Sequence, residues 1–310
     1  MLDRHNLFFY HKTMEIRVLK YFLAVTKEGS ITGAANALHL TQPTLTRQLQ
    51  DLEKELKQKL FVRGRHKISL TPEGIILKKR AQEIIDMVEK TEAEFQSISD
   101  TISGNIYIGG GETDSMKYVA EILKEINREY PKVKCHIYSG NAEDVTEKLD
   151  RGFLDFGLLI QPIDISKYDY ITLPKKDVWG VIMKKDCTLA RKEFIEPKDL
   201  INLPILASRQ MSPKYSKDSG FLDWFEGNFE SLNIVATFNL VYNAAVMVKA
   251  GLGYAVTIDK LVDTSKESEL CFRPLRPKLE SGIDIVWKKN QVFSPSANLF
   301  LAKLHERFIK

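Results

Sequence analysis

From Met14 onward the apolar residues fall into a helical rhythm. Ile16, Leu19, Phe22 and Leu23 share one face, which predicts an amphipathic helix over 15–27 that ends at Glu28-Gly29. Ser30 can cap a short second helix over 31–38, in which adjacent Ala34 and Ala35 leave little bulk and let another helix approach closely. After a turn at His39-Leu40, Thr41 or Gln42 can cap a third helix that runs to about Lys57. Its Pro43 lies in the first turn, where a missing N–H costs nothing. Leu45, Leu49, Leu52 and Leu56 form the stripe that faces inward, and this turns Thr44, Arg47, Gln48 and Asp51 toward solvent. Leu60-Phe61-Val62 and Ile68-Ser69-Leu70 then predict two short strands around Arg63-Gly64-Arg65-His66-Lys67, a basic tip with glycine placed for the turn. Thr71 and Pro72 open another helix, and the absence of proline and glycine from Ile75 to Ile102 makes it a long one. Leu77, Ala81, Ile84, Val88 and Phe95 give it a seam like that of a coiled coil.

Ser103-Gly104-Asn105 breaks the pattern, and strands then alternate with amphipathic helices, the signature of βαβ units on a largely parallel sheet. Strands are predicted over 106–108, 133–138 and 156–160, with helices over 116–128 and 142–151. After a crossover, strands over 179–183, 205–207, 234–238 and 254–257 repeat the alternation. A strand over 283–287 and a closing helix from about Ser296 return to the first lobe. The expected organisation is an extension over 1–13, a winged helix-turn-helix over 14–72, a linker helix over 73–103 and a two-lobed α/β domain over 104–310. In that last domain, lobe I covers about 104–178 and 279–310, and lobe II about 179–278.

Composition narrows the picture. A chain of 310 residues, 44% hydrophobic and 28% charged, is long enough for more than one domain. Its net charge of +4 implies no partner by itself, so the clustering of Arg63, Arg65 and Lys67 matters more than the sum. Cys135, Cys187 and Cys271 lie far apart, without metal-type spacing or a disulfide framework, and read as small buried hydrophobes in a reducing compartment. No apolar run is long enough for a bilayer and no export signal opens the chain, so a cytoplasmic protein without a membrane partner is expected.

In a helix-turn-helix the second helix enters the major groove and meets bases with its N-terminal residues. Here these are Gln42, Pro43, Thr44, Thr46, Arg47 and Gln48, of which Arg47 suits guanine and Gln48 adenine. Arg63, Arg65 and Lys67 place charge where a phosphate backbone or minor groove would lie, and His66 falls on the same tip. In open α/β sheets ligands bind at the carboxyl ends of strands. By that rule Thr113, Asp114 and Ser115, then Ser139 and Asn141, then Ser208 and Arg209 are candidates for a small-molecule effector. Several of them are equally good helix caps. Glu112 and Asp114 hint at a cationic ligand group and Arg209 at an anionic one. The chain has no HExxH, Walker loop or nucleophile elbow, and Gly251-Leu252-Gly253 lacks the third glycine of a dinucleotide fingerprint. An enzyme is not expected, and no cofactor or metal site is read. The alternative, a solute-binding protein without DNA function, leaves the first seventy or so residues unused.

The run from Met14 to Gly74 resembles the LysR-type transcriptional regulators. MEIRVLKYFLAV, SITGAANALHLTQPTLTRQLQDLEKEL and KLFVRGRHKISLTPEG match that family's pattern in order, with Lys57-Gln58 where many relatives carry glycine. The second half is similar to the family's effector domain, which is periplasmic-binding-protein-like, through Tyr130-Pro131-Lys132-Val133, Gly152-Phe153-Leu154-Asp155 and Ala250-Gly251-Leu252-Gly253-Tyr254. The resemblance implies major-groove contacts from Gln42, Pro43, Thr46 and Arg47, and backbone or minor-groove contacts from Arg63 and Arg65. It also implies dimerisation through the linker helix. Double-stranded DNA, a second copy of the chain and a small-molecule effector are the implied partners, with RNA polymerase a possible further one.

Overall fold

The computed structural model describes residues 14–63, 68–96, 102–211, 221–225, 227 and 229–309. The extension over 1–13 and the wing-tip residues Arg65, His66 and Lys67 lie outside the described residues. The chain forms two compact units, divided between Glu92 and Ala93.

In the first unit α1 (Ile16–Glu28), α2 (Ile31–Ala37) and α3 (Gln42–Leu56) pack around Leu19, Phe22, Val25, Ala34, Ala35, Leu45, Leu49 and Leu52. Each end has a local cause. Gly29 closes α1 in the left-handed region at φ 63°, and Ser30 caps α2 by accepting from the Gly33 N–H. Thr41 caps α3 by accepting from the Thr44 N–H. Strands β1 (Phe61–Arg63) and β2 (Ile68–Leu70) pair antiparallel as a wing. Helix α4 (Pro72–Gln96) starts where the Thr71 hydroxyl accepts from the Gly74 N–H and donates to the Lys59 carbonyl. The expected seam on α4 divides between two faces. Leu77 and Ala81 are buried in the core of their own domain together with Ile85, whereas Ile84 and Phe95 are exposed. An α-helix advances by slightly more than 3.5 residues per turn, so a straight stripe of fours and threes drifts off one face.

The second unit holds two mixed sheets. Lobe I is built from β3 (Gly104–Gly110), α5 (Met116–Glu129), β4 (Val133–Ser139), α6 (Ala142–Asp150), β5 (Phe156–Ile160) and β6 (Tyr168–Thr172). Lobe II follows with β7 (Asp177–Lys184), α7 (Pro197–Leu200), β8 (Ile205–Ser208), α8 (Phe221–Trp224), β9 (Ile234–Phe238), α9 (Val241–Lys249), β10 (Tyr254–Ile258), β11 (Leu270–Pro274) and β12 (Glu280–Ser281). The chain then returns through β13 (Ile283–Lys288) and α10 (Pro295–Phe308). The sheet orders are β4-β3-β5-β13-β6 and β11-β7-β10-β8-β9, with β12 beside β7. Strands β3, β4 and β5 are parallel, as are β8, β9 and β10, but β13, β7 and β11 run against their neighbours. The sheets are therefore more mixed than the βαβ alternation suggests. The strand that leaves a lobe and the strand that re-enters it must run in opposite senses. Ile106, Ile108, Ile122, Phe156, Ile285 and Phe300 are among the fully buried residues at the centre of lobe I.

Candidate nucleic-acid interface and effector chamber

On α3 the buried leucines fix the opposite face. Gln42, Pro43, Thr46, Arg47, Gln50, Asp51 and Lys54 line one shallow groove along the helix. Gln42 Nε2 donates to Thr46 Oγ1 at 2.9 Å, and Thr44 is engaged with the capping Thr41 hydroxyl at 2.7 Å. Gln48 is half-buried and is absent from that groove, because a step of about 100° per residue carries it toward the flank of the leucine stripe. Gln50 and Lys54 were missed in the sequence. They lie on the outward stripe at one helical turn from Thr46 and Arg47 and again at one turn from Gln50. Glu53 positions the wing rather than meeting a ligand: Oε1 accepts from the Leu60 N–H at 2.8 Å and Oε2 from Lys59 Nζ at 3.0 Å. Arg63 ends β1.

In the second unit the carboxyl ends of β4, β5 and β8 meet around a chamber of 290 Å³ whose lining includes Asn141, Thr146, Gln161, Tyr168, Trp179 and Arg209. Gln161 is fixed by its Nε2 donating to Asp284 Oδ2 at 2.7 Å, and Trp179 by its Nε1 donating to Ser281 Oγ at 2.8 Å. Tyr168 OH donates to Asp150 Oδ1 at 2.8 Å. Burial and the Asp150 carboxylate raise the Tyr168 phenol well above its ordinary range, so it stays protonated as a donor. Arg209 and Lys167 bring positive charge to the wall, and Glu143, Asp150 and Asp164 bring negative charge.

Of the seven candidate effector residues the chamber brings together two, Asn141 and Arg209. Asn141 is also the cap of α6, accepting from the Asp144 N–H at 2.9 Å. Thr113 and Ser115 are buried away from it. The Thr113 hydroxyl accepts from the Ser115 N–H and donates to Asp177 Oδ2 at 2.5 Å, so its hydrogen bonds are spent inside the protein. Asp114 pairs with Lys117 at 2.9 Å and Lys175 at 3.7 Å, and Glu112 accepts from the Val241 N–H. Both carboxylates are matched from within, and the negative charge on the chamber wall comes instead from Glu143, Asp150 and Asp164. Ser139 is exposed at the end of β4, and Ser208 closes β8 opposite Phe238, neither lining the chamber. Gln161 and Trp179 were not foreseen. Gln161 directly follows the carboxyl end of β5, where the rule could have found it, whereas Trp179 lies near the amino end of β7, which the rule does not cover.

Residues 99–309 match the LysR substrate binding domain family, and residues 16–75 match the bacterial regulatory helix-turn-helix protein, lysR family. The chain belongs to the LysR family of transcriptional regulators. Among similar proteins, the uncharacterized HTH-type transcriptional regulator YvbU of Bacillus subtilis is 27% identical over 95% of this chain and 99% of its own. The Hca operon transcriptional activator HcaR of Escherichia coli is 27% identical over 95% and 98%, respectively. The HTH-type transcriptional regulator BsdA of Bacillus subtilis is 35% identical over 71% of this chain and 74% of its own. The fold is shared with CbnR, a LysR family regulator, at a TM-score of 0.72 and 17% identity over 96% of this chain and 100% of that one. CbnR complexed with its target DNA gives a TM-score of 0.71 at 18% identity over 94% and 99%. As a LysR regulator the chain couples a DNA-binding unit to an effector-binding one and is not an enzyme. Among the described residues no helix is long and apolar enough to cross a membrane.

Proposed function

We propose that α3 reads the major groove through Gln42, Pro43, Thr46, Arg47 and Gln50, while the wing arginines Arg63 and Arg65, with His66 and Lys67, hold the flanking phosphates. The observation that carries this reading is the outward groove on α3, in which side chains able to bond base edges lie together and no apolar residue but Pro43 intervenes. Thr44 and Gln48 take lesser parts, the first as a partner of the capping Thr41 and the second from the helix flank. The complex of CbnR with DNA supports the docking of such a unit on a duplex. Two copies joined through α4 would present two such helices to two half-sites, working in the cytoplasm where the DNA is. The chamber between the lobes receives the effector, with Arg209 facing an anionic group and Trp179 and Tyr168 the body of the molecule. Effector binding then favours one arrangement of the lobes and alters the spacing or bending of bound DNA.

Footprinting on the DNA upstream of its own gene tests the reader, with wild type, Arg47→Ala and Arg65→Ala compared at matched salt. Arg47→Ala is expected to weaken specific binding by about tenfold or more, the worth of a bidentate base contact of about 1–3 kcal/mol. Arg65→Ala is expected to lose flanking protection and reduce the salt dependence instead. Unchanged protection by Arg47→Ala on a site that wild type protects would refute the assignment of α3.

A further inference from the structure

Helix α9 begins without a cap of its own. Leu240 stands at its N-cap and offers no side-chain oxygen, and its first turn contains no acidic residue. The missing acceptor comes from the other lobe, 129 residues away: Glu112, in the loop after β3, accepts the Val241 N–H on Oε2 at 2.5 Å. Val241 is buried and Glu112 half-buried, so this bond is sheltered from competing water. A carboxylate at a helix N-terminus is held by a charge-assisted hydrogen bond and by the helix dipole together. The loop that carries it is fixed just after Glu112, by Thr113 on Asp177 and by Asp114 on Lys117 and Lys175. Because β3 belongs to the sheet of lobe I and α9 packs on the sheet of lobe II, the bond spans the two lobes.

We propose that Glu112 is an internal ligand. Its carboxylate fills the anion position at the start of α9, latches the lobes together, and confines the effector to the chamber lined by Asn141, Gln161, Trp179 and Arg209. The part that concerns the effector rests on the reading of that chamber given above. An anionic effector group is excluded from the α9 terminus while Glu112 holds it, which leaves the chamber cations Arg209 and Lys167 as its partners. Opening of the lobes requires Glu112 to leave α9, so the latch is the element whose two states an effector would bias.

Hydrogen exchange read by mass spectrometry on the full chain, without DNA or effector, tests the latch in wild type, Glu112→Gln and Glu112→Ala. Glu112→Ala is expected to speed exchange in the segment that opens α9 about tenfold, the scale of losing a hydrogen bond to a charged group. Glu112→Gln, which keeps an acceptor and loses the charge, is expected to give a smaller rise. Acetate supplies the carbon and carboxylate that the alanine removes. Added in place of chloride at matched ionic strength, it is expected to slow that segment again in Glu112→Ala and to leave wild type unchanged. Exchange in Glu112→Ala equal to wild type would overturn the proposal. So would an equal response of both proteins to acetate, or a rise spread over the whole unit that acetate does not reverse. None of these outcomes touches the chamber, whose reading fails separately if Gln161→Ala and Arg209→Ala both retain an effector response.

Discussion

Asp177 shows what one residue can record about the interior of a protein. It is buried, its Oδ2 accepts from Thr113, and its Oδ1 has no hydrogen-bond partner among the described residues. Burial holds its carboxyl above the usual carboxylate range, the Thr113 hydrogen bond and Lys260 oppose the shift, and the Asp259 and Asp114 charges add to it. A carboxyl whose folded pKa is raised binds its proton more tightly in the folded than in the unfolded state. Its contribution to stability is therefore present at low pH and lost as the pH rises through the raised value. Asp177→Asn keeps the shape and removes the charge. It is expected to stabilise the protein near neutral pH, because a neutral amide escapes the desolvation that burial imposes on the carboxylate. That gain should shrink as the pH falls through the raised value and fade below the ordinary aspartate pKa of about 4, where both states are protonated in the parent. Thermal unfolding across that range checks it, and a gain of equal size at both ends would refute the assignment. Nothing in the amino-acid pattern marked Asp177, because its hydrogen-bond partner Thr113 lies more than sixty residues earlier in the chain.

At the scale of the element, the ends were the most legible part. Ser30, Thr41, Thr71 and Asn141 act as caps at the places their spacing indicates, since a cap is decided by residues three apart. Lys57 explains why glycine suits its place in many relatives: it closes α3 in the left-handed region at φ 52°, where a side chain is strained. Lys57→Gly is expected to raise the stability of the DNA-binding unit by about 0.5–1 kcal/mol, the usual difference at such a position, as read by urea unfolding. Gly74 has the opposite character, because a Cβ there would lie 2.2 Å from the Leu60 carbonyl oxygen, so its absence lets α4 start against the wing. Strands β6, β11 and β12 escaped the pattern. Strands β6 and β11 are at sheet edges, with β6 buried only at Tyr168 and Ile171, and an edge strand takes its register from its neighbour more than from its own alternation.

For the whole molecule the long helix is the decisive element. Leu77, Ala81 and Ile85 hold α4 to its own domain, which leaves Ile75, Ile76 and Ile84 exposed and available to a second copy. Sedimentation at micromolar concentration is expected to give a dimeric or tetrameric mass for wild type. Ile84→Glu should lower that mass while the domain core, which does not use this side chain, keeps its fold. A monomeric wild type would refute assembly through α4.

Most of the order of elements, the leucine stripe of α3 and the two-lobed plan were present in the sequence. Each depends on residues close together along the chain, where periodicity and capping act. The members of the chamber were not, apart from Asn141 and Arg209. Asn141, Gln161, Trp179 and Arg209 come from four separate stretches that meet only when two sheets close on each other. The same holds for the partner of Glu112: the sequence placed a carboxylate in the loop after β3, and only the tertiary structure set an uncapped helix of the other lobe in front of it. Hydrogen-bonding groups left open by local structure are satisfied by whatever the fold brings near, and that choice is made across distance in the chain.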